Sequence, residues 1–433
     1  SRSGQDVVEV RAGDGFDGSG GTFTIHPGHQ EDYDALLRRL AESGQGPQRI
    51  VHLWNISPDD QVESGLAYYE AVQDLGYNSL IYLMRAITAV NLGGQDTQLT
   101  VVSTNLQAVT GAERLSPEKS TLLGPCRVIP NEFPAFRCKN VDIELPDTGA
   151  DLSRLARLLL GECTASQETF REEKTVAYRG RHRWIQDFTP IPLQAEAGKT
   201  PPFRDRGVYL ITGGLGGVGY VLAEHLAGSC HPRLALLGRT RLPKRQDWER
   251  WLAEHDQDDR TSEALTKALR LEKLGAEILP LSADVSSPEE MGEAWQRIVD
   301  HFGPIHGIIH AAGVEGGGMI ELRDLADTDS NANAKIRGTL VLEALSRDTP
   351  LDFCILCSSL VSFIGSVGGV DYASANIFLD TFANARARDS RQGIMAVNWD
   401  YWANIGMGRA IFKRHRAVFG ETLDKLAGED MAE

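Results

Sequence analysis

The sequence predicts an α/β protein built of two Rossmann-like units, the second a doubly wound parallel sheet. Three observations predict it. From residue 206 onward, apolar runs of strand length alternate with helix-length segments, the pattern of a parallel sheet covered on both faces. The first of those strands runs into a glycine-rich loop, TGGLGGVG at 212–219. A looser strand–helix alternation fills the first half, and a linker rich in proline and small or charged residues joins the halves at 190–206. The predicted units are therefore residues 1–205, linker included, and 206–433.

In the first half, RIVHLWNI (49–56) and QLTVVST (98–104) read as buried strands, and residues 65–90 between them have helical periodicity. After RIVHLWNI come Ser57, Pro58, Asp59 and Asp60, an acidic turn that would repel a pyrophosphate. No nucleotide is expected there. In the second half GVYLIT (207–212) leads into a helix over VGYVLAEHLAG (218–228). RLALLG (233–238) precedes a polar loop and a long charged helix through about Leu274. AEILPLSADV (276–285) leads to a helix with Pro288 near its start, where proline is tolerated. IHGIIHAAG (305–313), LDFCILCSS (351–359) and GIMAVNW (393–399) each follow a helix candidate. The absence of a repeat of 20–50 residues excludes solenoids and propellers.

With 433 residues, 42% hydrophobic and 24% charged, the chain can bury a large core without disulfide staples. Six cysteines make no disulfide framework and fit a reducing compartment. There is no uninterrupted apolar run of 18 residues, and SRSGQDVVEV lacks a signal pattern, so a cytoplasmic protein without membrane association is expected. The net charge of −16 argues against nucleic acid as a partner.

The glycine loop follows a strand and opens a helix, the context in which backbone N–H groups stabilise a pyrophosphate. The candidate cofactor contacts there are Thr212, Gly213, Leu215, Gly216, Gly217, Val218 and Gly219. The next strand ends in Gly238-Arg239-Thr240, where an NAD-selective site would place an acid. Arginine suits the 2′-phosphate of NADP instead. Asp284, followed by Val285, ends the third strand and is placed to accept from an adenine amino group.

Lys335, Ser359, Tyr372 and Asn376 carry the candidate chemistry. Ser359 ends an apolar strand; Tyr372 and Asn376 are four apart and share one helical face. Hydride addition to a ketone wants such a set. A tyrosine hydroxyl protonates the carbonyl oxygen, a serine hydroxyl holds it, and an ammonium lowers the tyrosine pKa from near ~10.

On these residues the sequence resembles the ketoreductase domains of modular polyketide synthases, in the short-chain dehydrogenase/reductase superfamily. The matching segments are TGGLGGVG (212–219), LLGRT (236–240), ADV (283–285), HAAGV (310–314), LCSSL with Ser359, DYASAN with Tyr372 and Asn376, and VNWDYW (397–402). Ser359 and Tyr372 are thirteen apart, and Lys335 precedes Ser359 by twenty-four. Ordinary members carry lysine four after the tyrosine; Asn376 there, with Lys335 upstream, is the exchanged arrangement of polyketide ketoreductases. Residues 122–145 and 175–188 resemble the family's structural subdomain, a truncated Rossmann-like unit without cofactor.

The resemblance implies NADPH as hydride source and a β-ketoacyl chain carried by the phosphopantetheine arm of an acyl carrier protein, within a larger synthase. It also implies that His310, Ala311, Ala312 and Gly313 line the cofactor site, His310 as a wall rather than a catalyst. Neither fingerprint of product configuration is complete. Glu315, Gly316, Gly317 and Gly318 stand where an LDD motif would mark a D-alcohol, and Ile364 stands where a tryptophan would mark the opposite class. The missing aspartate points to the L-hydroxy product. Two alternatives stand beside this reading: an inactive scaffold ketoreductase and a free-standing alcohol dehydrogenase.

Cys354 and Cys357 form a C-x-x-C on a strand, where residues three apart face opposite sides, so buried packing is expected. Lys413, Arg414, His415 and Arg416 form a cation run, which reads first as a solvated face and second as a contact for an acidic carrier protein.

Overall fold

The structure is a computed structural model that describes residues 6–19, 21–58, 63–92, 96–146, 148–192, 203–314, 316–323, 331–387, 393–400, 402 and 405–406. Two short N-terminal strands, β1 (Val10–Ala12) and β2 (Phe23–Ile25), pair in parallel. A second sheet follows the order β3 (Arg49–Asn55), β4 (Thr97–Thr104), β5 (Phe136–Ile143), β6 (Thr175–Arg179), β7 (His182–Ile185). Its pairs are parallel up to β6, and β6–β7 is an antiparallel hairpin turning at Gly180, whose φ of +57° suits glycine.

The strands predicted in the second half form β8 (Val208–Thr212), β9 (Arg233–Gly238), β10 (Glu277–Ser282), β11 (Gly307–His310), β12 (Phe353–Ser359) and β13 (Ile394–Trp399). Their order is β10-β9-β8-β11-β12-β13 with every pair parallel. This is the doubly wound order. The winding reverses between β8 and β11, the switch point beyond whose carboxyl ends open α/β sheets bind their ligands.

Packing divides the chain into two compact units that are not contiguous in sequence. One comprises Ser1–Ala195, Gly316–Ala332 and Leu360–Asp389; the other comprises Glu196–Glu315, Asn333–Ser359 and Ser390–Glu433. The first unit's core joins Leu80, Met84, Leu99, Val128 and Ile129 to Val370, Ala373 and Ile377 of helix Val370–Arg386. The second unit's core centres on Tyr209, Ile211, Leu234, Leu236, Ile309 and Phe353.

β4 is buried along its length, as expected of a central strand. β3 corrects the expectation of a buried strand. It lies at the sheet edge, where it is paired on one side only, and Val51 and Leu53 are 44% and 48% exposed. The helical stretch at 65–90 is helix Leu66–Gln73, a π-helical turn Asp74–Asn78 and helix Ser79–Ala89. The long charged helix is two helices, Trp248–Glu254 and Arg260–Lys273. Asp259 divides them, its carboxylate accepting from Thr261 N and Ser262 N at 3.0 Å as an N-cap. Pro288 stands at the first position of helix Pro288–Phe302. Linker residues 190–192 have no regular structure, and 193–202 lie outside the described residues. Among the described residues no helix is long and apolar enough to cross a membrane.

Candidate active site

In the second unit the glycine loop joins β8 to helix Gly217–Cys230. Gly213 has φ +68°, and a Cβ there would lie 2.9 Å from Ala311 O. A Cβ on Gly219 would lie 2.4 Å from Gly213 O, and one on Gly217 would lie 2.7 Å from Gly406 Cα. Larger residues are excluded at all three positions. Gly216 N donates to Gly213 O (2.8 Å) and closes the turn; Tyr220 N bonds Gly216 O (2.8 Å) and starts the helical ladder. The N–H groups of Gly217, Val218 and Gly219 stand in the first turn, where a helix supplies no partner. Such a cradle fits the diphosphate of a dinucleotide.

Thr212, fully buried at the end of β8, ties the two strands at the switch point. Its hydroxyl accepts from Ala312 N (3.2 Å) and shares a 2.7 Å hydrogen bond with His310 Nδ1. Burial, reinforced by the Lys335 charge, pulls the His310 pKa down to about 3, so the ring is neutral at neutral pH. Arg239 and Thr240 are exposed after β9. Asp284 is also exposed; it accepts from Ser286 Oγ (2.7 Å) and Ser286 N (2.9 Å). Those bonds, with a contribution from Arg239, hold its carboxyl below the usual range. Val285 is buried and sits against Gly338.

Lys335 lies in a π-helical turn, Ala332–Arg337, a geometry frequent at functional positions. It is 3% exposed, and its ammonium donates to Cys357 O at 2.7 Å. Ser359 ends the same strand, two residues on. Lys335 and Ser359 are thus brought together at the carboxyl end of β12. Asn398 steadies that end, its Nδ2 donating to Ser358 Oγ (3.1 Å) and Ser359 O (3.3 Å). Sequence reading placed Asn398 in the matching segment VNWDYW but gave it no role, because only pairing with β12 brings it to Ser358 and Ser359.

Tyr372 and Asn376 belong to the first unit, on helix Val370–Arg386. Tyr372 is half-buried; Asn376 is fully buried and donates from Nδ2 to Tyr372 O at 2.7 Å. The two are one turn apart on one face, as the spacing predicts.

The carboxyl ends of β4, β5 and β6 are filled by the first unit's own side chains. Arg179 reaches Asp142 (2.7 Å) and Glu113 (3.2 Å), and Asp142 accepts from Ser103 Oγ (2.9 Å), Leu106 N and Gln107 N (3.2 Å each). Cys354 and Cys357 are buried and unbridged, and burial pushes the Cys354 thiol up to about 12. The cation run Lys413–Arg416 and Glu315 lie outside the described residues.

The KR domain family matches residues 207–404, and the family of beta-ketoacyl synthase-like N-terminal domains matches 1–161. The chain is 30% identical over 309 residues to the polyketide synthase PksN of Bacillus subtilis, covering 70% of this chain and 5% of that protein. The chain therefore spans about one twentieth of that relative's length. It is similar to a solved N-terminal ketoreductase from the macrolactin assembly line, with TM-score 0.74 and 26% identity, over 91% of this chain and 74% of that one. It is also similar to an adenylation, ketoreductase and pseudo Asub structure of a keto acid-selecting NRPS module. There the TM-score is 0.80 and the identity 25%, over 96% of this chain and 33% of that one.

Proposed function

We propose that this chain, whose residues 207–404 match the KR domain family, reduces a β-ketoacyl thioester on an acyl carrier protein to the β-hydroxyacyl thioester, with NADPH. KR domains are oxidoreductases that use nicotinamide cofactors. The observation that carries the reading is that a glycine cradle and the Lys335–Ser359 pair stand at the carboxyl ends of one sheet.

Gly213, Gly216, Gly217 and Gly219 hold the cofactor's diphosphate, with Thr212, Leu215 and Val218 shaping the loop. Arg239 and Thr240 meet the 2′-phosphate, Asp284 and Val285 flank the adenine, and His310, Ala311, Ala312 and Gly313 wall the ribose side. NADPH, when bound, supplies the hydride. Ser359 holds the substrate carbonyl through its hydroxyl. Tyr372 gives its phenolic proton to the carbonyl oxygen, and Lys335 supplies the positive charge that eases that transfer. Asn376, bonded to the Tyr372 carbonyl, fixes the helical turn that presents the tyrosine. Functionally the division is 1–205, a structural subdomain, and 206–433, the catalytic one. A filled crevice at Arg179–Asp142 supports the first assignment. So do Cys126 and Cys138, the cysteines of residues 1–161, which are buried at 5% and 2% where a nucleophile would need access. The product is the L-hydroxy thioester.

The similarity to a keto acid-selecting module favours a second reading, in which the substrate is a keto acid-derived thioester. One experiment separates these: NADPH consumption with a panel of β-ketoacyl and α-ketoacyl thioesters, with chiral analysis of the alcohols. Turnover of the β-keto members supports the proposal, and turnover of α-keto members alone supports the second reading. Cofactor binding with no turnover of any thioester favours the inactive scaffold.

A further inference from the structure

Buried charges are costly, and a buried ion pair adds little stability over apolar residues of the same size. A cluster of them beside a proton donor asks for another explanation. Glu132 is 9% exposed and stands in the last turn of helix Leu123–Glu132, the wrong end of the macrodipole for a carboxylate. It accepts from two backbone N–H groups far along the chain, Ile320 N at 2.7 Å and Gly368 N at 2.8 Å. The two segments also bond each other, Gly318 N donating to Gly368 O at 3.1 Å.

Asp371, 5% exposed, precedes Tyr372 in the first turn of helix Val370–Arg386. Its Oδ2 forms an ion pair with Arg323 Nη2 (2.9 Å) and accepts from Asn331 Nδ2 (3.0 Å), and its Oδ1 accepts from Gly317 N (3.4 Å). Arg323 is 2% exposed, and its own carbonyl accepts from Arg85 Nη1 at 2.6 Å. Every one of these residues belongs to the first unit. Apolar packing through Val370, Ala373 and Ile377 already seats the helix on its core. What the charges add is register. They fasten the 316–323 segment and the turn before the helix to the residue adjoining Tyr372.

We propose that Glu132, Arg323 and Asp371 form a buried latch that positions Tyr372 for proton transfer. The proposal rests on the reading of Tyr372 as proton donor. None of the three touches substrate; each acts through the backbone that carries the tyrosine. A reacting group displaced by about 1 Å loses on the order of a hundredfold in rate, which sets the scale of the effect.

The test uses the full chain, with Tyr372→Phe as reference and kcat, KM for a β-ketoacyl thioester, NADPH affinity by fluorescence and Tm all measured. Glu132→Gln keeps the shape but offers one acceptor in place of two. The Arg323→Met/Asp371→Leu double variant removes both charges together. Both should lose roughly ten- to a hundredfold in kcat, with KM and NADPH affinity within about threefold of wild type. The double variant should melt above either single variant, Arg323→Met or Asp371→Leu, each of which leaves one buried charge of the pair without its partner. Arg323→Lys should recover part of the rate lost in Arg323→Met. Wild-type kcat in Glu132→Gln or in the double variant, beside an inactive Tyr372→Phe, overturns the latch and leaves Tyr372 as donor. A fully active Tyr372→Phe overturns the donor reading and the latch with it. Should the double variant fail to fold, the near-isosteric Glu132→Gln decides.

Discussion

Tyr372 stands half-buried in the first turn of its helix, so deleting one hydroxyl removes a proton donor and almost no packing. Tyr372→Phe should lower turnover by roughly 10²- to 10⁴-fold, the span of general acid catalysis, and leave NADPH affinity unchanged. Steady-state kinetics beside a fluorescence titration of cofactor would check both halves; turnover near wild type ends the assignment. Arg239 is exposed at the end of β9, where a guanidinium–phosphate contact is a charge-assisted hydrogen bond worth about 1–3 kcal/mol. NADPH should therefore be preferred over NADH by roughly ten- to a hundredfold, and Arg239→Ala should narrow the gap by weakening NADPH alone. Equal use of both cofactors by the wild type would refute the role. The glycine loop and the strand ends were legible because their constraints are local: a glycine at φ +68° or a residue ending a strand is written in its immediate neighbours. Glu132 was not legible. Its partners Ile320 and Gly368 lie 188 and 236 residues away, and nothing in helix Leu123–Glu132 announces them.

At the scale of elements, helix Gly149–Cys163 is fastened to its sheet by charge. Glu162 in its last turn accepts from Lys139 (3.0 Å) on β5, Tyr178 (2.7 Å) on β6 and Arg183 (2.6 Å) on β7. Burial pushes this carboxyl up, but the bonds from Arg183, Tyr178 and Lys139 outweigh it and hold the group at about 2, against an ordinary 4.5. A carboxyl depressed in the folded state contributes stability that is full above 4.5 and is lost as pH falls toward about 2. Glu162→Gln leaves the buried Lys139 with Glu173 at 3.8 Å, so it should cost less than the roughly 3–5 kcal/mol of an uncompensated buried charge near neutral pH. Urea unfolding of wild type and variant from about pH 7 to about pH 3 should show the two converging below 4.5. A difference that stays constant across that range would assign the stabilisation to packing. Element type was readable from period and length, as with β9, which spans the predicted 233–238. Coverage was not readable. Whether a Val/Leu-rich strand is central like β4 or an edge like β3 depends on what pairs beyond it, and the sequence of β3 holds no trace of that.

For the whole molecule, the reading at 205/206 separates two halves by motif, whereas packing sends the chain back into the first unit at Gly316–Ala332 and again at Leu360–Asp389. The helix that carries Tyr372 is completed by residues from the first half. A Cβ on Gly124 would lie 1.9 Å from Ser374 Oγ and 2.8 Å from Ser374 N, so helix Leu123–Glu132 meets helix Val370–Arg386 backbone to backbone. Val370, Ala373 and Ile377 share their core with Leu80, Met84, Val128 and Ile129. A fragment of residues 206–433 would leave that apolar face, and the Ile320 and Gly368 N–H groups that bond Glu132, without the elements that cover them. Exposed apolar area of this kind drives association, and loss of the supporting helix releases the tyrosine. Expressed alone, residues 206–433 should aggregate or melt without cooperativity and should not turn over a β-ketoacyl thioester. Co-expression with residues 1–205 should restore a cooperative melt and measurable reduction, because the interrupted core can close between two chains as it does within one. Size-exclusion chromatography, calorimetry and NADPH consumption on the fragment and on the pair are the measurements. A monomeric, cooperatively melting 206–433 that reduces substrate at the full chain's rate would mean that the first half gives Tyr372 no support.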